Sequence, residues 1–361
     1  MTNVWNLVHH SQIPLNASAY EFSRGMPDEK WMLFMWVGWV IVSFIAAVAS
    51  ASIFAGILFS REARGSAFNM YLLALTIPDF VISSSCTITC WLNYNLHFYV
   101  GNDMCRWQAF YASFGIAGSF YLNALVAHEM RRLLKATKRL EDYHPPSHRR
   151  VLLTSAGVLV FCVILSTIHM WGIFSLEAFP TYGIVCVVHD KTVPSTLAMW
   201  LIYMPLIAFL PCAYIFYVAI NSWWNNLIYL RAPPLAAEEE AANESPEMDS
   251  VAEMQRRMHI RRIRQARTLG LYFARIFLSV LLMWAPASVF LITLKLHSAW
   301  GVWVGGTWGH LQGLASALMC LTKPDVFDAV KDLYTCRRRP PPQVAPPRIV
   351  TKSASCLDFQ A

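Results

Sequence analysis

Asp79 and Glu129 are acidic side chains set in or at the end of long apolar runs. A charged group at the centre of a bilayer costs roughly 2.5–3.5 kcal/mol on insertion scales, so a carboxylate placed there implies a function, either holding a cation or switching. The alternative for Asp79 is a structural hydrogen bond beside the kink of Pro78. Glu129 belongs to Ala127-His128-Glu129-Met130-Arg131-Arg132, where acid and base stand together at the end of a run. Cys86 and Cys90 are four residues apart and so share one helical face. They read as buried apolar thiols, with a bridge or a metal site as the alternatives.

Enzyme chemistry is not expected. A zinc hydrolase needs several His and Asp ligands at one depth, whereas His128 is at the inner end of its run, His169 near the outer end of another, and His310 in the outer half of a third. Residues 302–322 carry no lysine for a retinal Schiff base, because Lys323 lies beyond their inner end.

The elements that must position these residues are transmembrane helices. With 56% hydrophobic and 14% charged residues, and apolar runs near the ~20 residues that cross a bilayer, the chain reads as an all-α polytopic membrane protein. Seven spans are expected, at about 31–60, 68–93, 104–130, 151–175, 197–224, 268–295 and 302–322. All but five of the 29 lysines and arginines fall on one side of this arrangement, the exceptions being Arg24, Lys30, Arg106, Lys191 and Lys295. The positive-inside rule then puts the N-terminus outside and the C-terminus in the cytosol. The net charge of +7 is accounted for by topology, and no nucleic-acid partner is expected. Residues 1–30 contain no signal-peptide core, so the first span is expected to act as an uncleaved anchor in a multi-pass protein of the plasma membrane.

Four regions follow: an extracellular tail over 1–30, a seven-helix bundle over 31–322, a short interfacial helix over 323–335, and a disordered tail over 336–361. Within the bundle, 231–267 forms a cytoplasmic loop. Its acidic, proline-containing first part reads as disordered and its basic part, Arg256 to Arg267, as a helical extension of span six that meets anionic lipid or a cytosolic partner. Asn16-Ala17-Ser18 is a glycosylation sequon on the outside. Cys336, after the amphipathic stretch, is a palmitoylation site by position. Cys105 at the start of span three and Cys186 between spans four and five both lie outside, where oxidation favours a bridge; the alternative is two unpaired thiols.

Several of these spacings resemble G-protein-coupled receptors. Asn69, Leu75 and Asp79 are spaced as in the second span of rhodopsin-like receptors. The resemblance implies that Asp79 anchors a sodium and water pocket, with Ser119, fourteen residues after Cys105, beside it and Trp284 and Ser316 at its depth. Met283-Trp284-Ala285-Pro286 is similar to the Cys-Trp-x-Pro motif of span six, in which Pro286 bends the helix and Trp284 packs beneath the ligand. The Glu129 cluster resembles Asp/Glu-Arg-Tyr, the switch that ends span three.

The departures are definite. Met130 stands where the family has arginine, and methionine cannot make that charge pairing. Arg131 is the substitute by sequence, yet one residue along a helix turns a side chain by about 100°. Alternatively, Arg131 and Arg132 anchor span three at the headgroups. Span seven lacks Asn-Pro-x-x-Tyr, and Gln312-Gly313 with Ser316 and Cys320 resembles the ending of cyclic-AMP-receptor-like proteins instead. The resemblance implies a receptor for an unknown extracellular ligand that works through spans three and six on a heterotrimeric G protein. A scaffold or decoy without such coupling, and a small transporter, are the competing readings. Ala112 occupies the position of the amine receptors' aspartate, which disfavours a biogenic amine. Trp300, Trp303, Trp308 and Tyr203 offer aromatic walls, and Gly115, Ala117 and Gly118 keep the middle of span three small.

Overall fold

The structure, a computed structural model, describes residues 27–95, 102–138, 144–171, 173, 176–190, 193–224 and 299–335. It is an all-α bundle of membrane-spanning helices crossed at one mouth by a β-hairpin. Five helical stretches among the described residues are long and apolar enough to cross a bilayer. Span one is α1 (Glu29–Phe59), followed by the single turn α2 (Arg61–Arg64). Span two is α3 (Ala67–Asn95), span three α4 (Asn102–Lys138) and span four α5 (His148–Thr167). Span five begins as α6 (Val193–Ala198), passes through two π turns at Met199–Tyr203 and Pro205–Phe209, and ends as α7 (Leu210–Trp224). Span seven is α8 (Ala299–Leu321), packed along α1, and α9 (Pro324–Thr335) follows it. The sixth span expected over 268–295, the loop 231–267, and the expected tails 1–30 and 336–361 apart from residues 27–30 lie outside the described residues.

Local chemistry sets the helix ends. The Ser60 hydroxyl accepts from the Ala63 amide at 3.2 Å, and the Ser147 hydroxyl accepts from the Arg150 amide at 3.3 Å, each satisfying an orphan donor of a first turn. Pro324 starts α9, where its missing amide costs nothing. Pro205 and Pro211 remove two donors from span five, and the widened π turns lie around Pro205. The freed backbone is put to use, since the Tyr121 hydroxyl donates to the Leu206 carbonyl at 2.7 Å.

Packing depends on small residues opposite large ones. An added Cβ at Gly118 would stand 2.6 Å from Pro78 Cγ, and one at Gly115 would stand 2.7 Å from Ile82 Cβ. These two glycines therefore let span two close onto span three. The space left by the small residues of span three is filled by Pro78 and Ile82. Spans one and seven are joined reciprocally. Trp303 lies against Gly38 and donates its indole N–H to the Met35 carbonyl at 2.9 Å, while Trp39 lies against Gly306 and donates to the Trp303 carbonyl at 3.2 Å.

The hairpin pairs β1 (Leu176–Thr181) with β2 (Val185–Asp190) antiparallel, Pro180 opposite Cys186. Its connection passes through Tyr182 at φ 50° and Gly183 at φ 72°. The second position is one that glycine adopts without steric cost. The residues on either side of this turn pair across it, between spans four and five.

Candidate functional site

At the mouth crossed by the hairpin, the Cys105–Cys186 bridge is formed, with the two Cα atoms 5.1 Å apart. Gln108 adds a second tether, its Oε1 accepting from the Cys186 amide at 2.9 Å. The far end of the hairpin reaches span one, where the Trp36 indole donates to the Ile184 carbonyl at 3.2 Å, both residues being fully buried. The hairpin is thus held at both ends across the mouth. Beneath it, Tyr203 is buried and its hydroxyl shares a hydrogen bond with Ser113 at 2.8 Å. Of the expected aromatic walls, Trp303 serves the contact with span one, and Trp300 packs edge-on against Trp31 at 5.4 Å between centroids.

In mid-bundle, Asp79 is 6% exposed and its Oδ1 accepts a hydrogen bond from the Ser119 hydroxyl at 2.7 Å. This is the one hydrogen bond it makes among the described residues. A cavity of about 20 Å³ adjoins it, lined also by Ser50, Thr76, Asn123 and Ser316. A volume of that size holds a single water-sized particle. Ser119 is hydrogen-bonded to Asp79, and Ser316 lines the same cavity as Asp79. Ser50 and Asn123 were missed; each is a short polar group in an apolar run, a signal open to sequence reading. Gly313 of span seven passes close by, where an added Cβ would lie 3.5 Å from Asp79 Cβ. Trp284 and Pro286 lie outside the described residues.

Toward the C-terminal end of span three, the Arg132 guanidinium donates to both oxygens of the buried Glu129 carboxylate at 3.0 and 2.9 Å. Arg131 turns to span five: its Nη2 donates to the Tyr217 hydroxyl at 3.1 Å and its Cζ sits 4.9 Å from the ring centroid. The Arg131 Nε is buried without a partner. Met130 is buried in an apolar cluster with Leu134. Arg131 and Arg132 thus each have a partner within the protein. His128 joins the same face through Nδ1, 2.6 Å from the Tyr214 hydroxyl.

The junction of spans two and seven with α9 forms a further cluster. Lys323 Nζ donates to Asn69 Oδ1 and, at 2.7 Å, to Asp325 Oδ2, which also accepts from Asn69 Nδ2 at 2.8 Å. Burial alone would raise the Asp325 carboxyl, but the hydrogen bonds from Lys323 and Asn69 hold it below its ordinary value. Asn16 and Cys336 lie outside the described residues, as does the basic run Arg261 to Arg267.

No curated protein matches the chain. Among solved structures it is similar in fold to squid rhodopsin, at 15% identity and a TM-score of 0.65 over 88% of this chain and 90% of that one. The family model described as 7 transmembrane receptor (rhodopsin family) matches residues 51–321. The proteins of that family are receptors and not enzymes, and the chain, a multi-pass membrane protein, belongs to it.

Proposed function

We propose that this receptor sits in the plasma membrane with its N-terminus outside and passes an extracellular signal to a heterotrimeric G protein through the inner ends of spans three, five and six. The observation that carries the reading is the engagement of Arg131 by Tyr217 while Arg132 neutralises Glu129. With Met130 turned into an apolar cluster, the cation available for a cytosolic partner is on the next face round, toward span five. Movement of span five away from span three would release it. The ligand is a small apolar or aromatic molecule and not a biogenic amine, since Ala112 offers an ammonium no partner.

A sodium ion at Asp79 belongs to the same reading. A buried carboxylate with one hydroxyl partner is short of compensation, and the adjoining cavity is the size of one ion or one water. Membrane lipids meet the exposed apolar faces of the spans.

The test is a panel of heterotrimer-dissociation sensors in cells that express the wild type, Arg131→Ala or Tyr217→Phe. A basal or ligand-driven response lost in Arg131→Ala and altered in Tyr217→Phe supports the coupling. A response unchanged in both removes it. The absence of any response from every heterotrimer favours the scaffold or decoy, for which the burial of Met130 is the supporting observation.

A further inference from the structure

Span five is closed in two places by backbone bonds of unusual reach. The Met204 amide donates to the Met199 carbonyl and the Leu210 amide to the Pro205 carbonyl, each spanning five residues where an α-helix spans four. In that wide register the next carbonyl, Leu206, falls to residue 211, a proline with no amide to give. In the α register Leu206 would take the Leu210 amide, and the carbonyl left facing Pro211 would be that of Ile207. The proline thus leaves one carbonyl short in either register, and the balance is set by which of the two finds another donor. That donor stands on span three: the Tyr121 hydroxyl donates to the Leu206 carbonyl at 2.7 Å. An unpaired carbonyl within a membrane is costly, so this one bond favours the wide register.

We infer that Tyr121 is a positioning residue that holds span five in the wide register, and that release of its hydroxyl lets Pro205–Phe209 close to an α turn and rotate α7 against span three. Upstream, Tyr203 is tied to Ser113 of span three at 2.8 Å, so the rotation is delivered to the downstream half. Closing a turn that holds one extra residue advances every later side chain by one place, about 100°. The place of Tyr214 beside His128 then passes to Ala213, and the place of Tyr217 beside Arg131 passes to Phe216. Neither can make the hydrogen bond that its neighbour made. Tyr217 itself turns into the place of Val218, which is 5% exposed and too closely packed for a tyrosine, so span five has to move out from span three. A single step in register therefore undoes both contacts and widens the gap that an approaching partner would enter. The purpose of the device rests on the coupling reading above; its geometry does not.

Cys212 reports the register. It lies just beyond the turn and is half-buried, and the step would carry it to the exposed place of Ala213. The experiment alkylates the full chain in detergent with N-ethylmaleimide, a small neutral thiol reagent, and follows Cys212 by peptide mapping, with the buried Cys320 of span seven as internal reference. Tyr121→Phe keeps the ring against Phe161, 5.2 Å between centroids, and removes only the hydroxyl. It should raise the Cys212 rate by about fivefold, the shift that loss of one hydrogen bond gives an equilibrium, and leave the Cys320 rate as it is. A Cys212 rate equal in Tyr121→Phe and wild type overturns the inference. A rise shared by Cys320 overturns it as well, because it reports general loosening. Heterotrimer-dissociation sensors in cells expressing the same two proteins separate the two readings. A selective rise at Cys212 with raised basal dissociation supports both, and a selective rise with no response from any heterotrimer supports the register change and counts against the coupling alone.

Discussion

Arg131 and Tyr217 lie 86 residues apart in the chain and meet toward the C-terminal ends of spans three and five, the hydroxyl accepting a hydrogen bond at 3.1 Å and the ring facing the guanidinium. The contact combines a charge-assisted hydrogen bond with a cation–π interaction, so Tyr217→Phe should keep the second and lose the first. We expect Tyr217→Phe to raise basal signalling and Tyr217→Ala to raise it further, measured as heterotrimer dissociation in cells at matched surface expression. Equal basal signals in the two variants and the wild type would show that the contact restrains nothing.

The Cys105–Cys186 bridge joins residues 81 apart in sequence and fixes the hairpin over the mouth. Peptide mapping without reduction should recover the two cysteines in one linked fragment. Loss of such a bridge costs roughly 2–5 kcal/mol in small domains, and Cys186→Ser should accordingly lower the thermal midpoint in detergent and reduce surface expression. Free thiol at Cys105 in the oxidised wild type would contradict the assignment.

Glycine positions give a paired stability prediction. Gly118→Ala would push a methyl to 2.6 Å from the Pro78 ring, a rigid neighbour on a packed helix, and should cost about 1–3 kcal/mol through overpacking. Gly157 on span four has nothing within 4 Å of an added Cβ, so Gly157→Ala should stabilise by up to about 1 kcal/mol through helix propensity. Thermal midpoints of the two purified variants against wild type check both signs at once.

The contrast explains what could be read without coordinates. Asp79 was legible because a polar group in an apolar run has to face the bundle, and Ser119 because the resemblance to rhodopsin-like receptors implies a serine beside that aspartate. The small residues of span three were legible as small, but their purpose was not, because what faces Gly118 is decided by how span two tilts at Pro78. Arg131 had no visible partner for the same reason: nothing local in Arg131-Arg132 distinguishes a cation that reaches Tyr217 from one that pairs with Glu129. The hairpin left a trace, the Tyr182-Gly183 turn between residues that favour strands, which an expectation of helices alone passed over.

Asp325 gives a pH dependence. Its carboxyl is held below its ordinary value in the folded protein, so its contribution is full above the unfolded carboxylate value of about 3.9 and is lost as pH falls through the lower folded value. Amide exchange in α9, corrected for the intrinsic pH effect, should therefore stay protected from neutral pH down to that range and rise below it. Asp325→Asn should show the raised exchange at neutral pH already. Protection in α9 that is the same in Asp325→Asn and wild type would show that the Lys323–Asn69–Asp325 cluster does not hold the helix.

If Asp79 holds sodium, the ion binds the folded state and should raise the thermal midpoint in proportion to the logarithm of its concentration. Midpoints in sodium chloride and in choline chloride at equal ionic strength separate binding from screening. The wild type should gain a few degrees in sodium and Asp79→Asn should gain none; an equal gain in both would remove the ion from the cavity.

The most direct measurement is guanine-nucleotide exchange on purified heterotrimers, with the wild type and Glu129→Gln compared in the same detergent and at the same concentration. Removing the charge of Glu129 breaks its i,i+3 pair with Arg132 and frees that cation. A receptor restrained there should accelerate exchange on at least one heterotrimer by roughly fivefold or more over wild type, the lower end of ordinary coupling energies. No acceleration by either protein on any heterotrimer, with both shown to be folded by thermal melting, would contradict the account and leave a receptor fold that does not speak to G proteins.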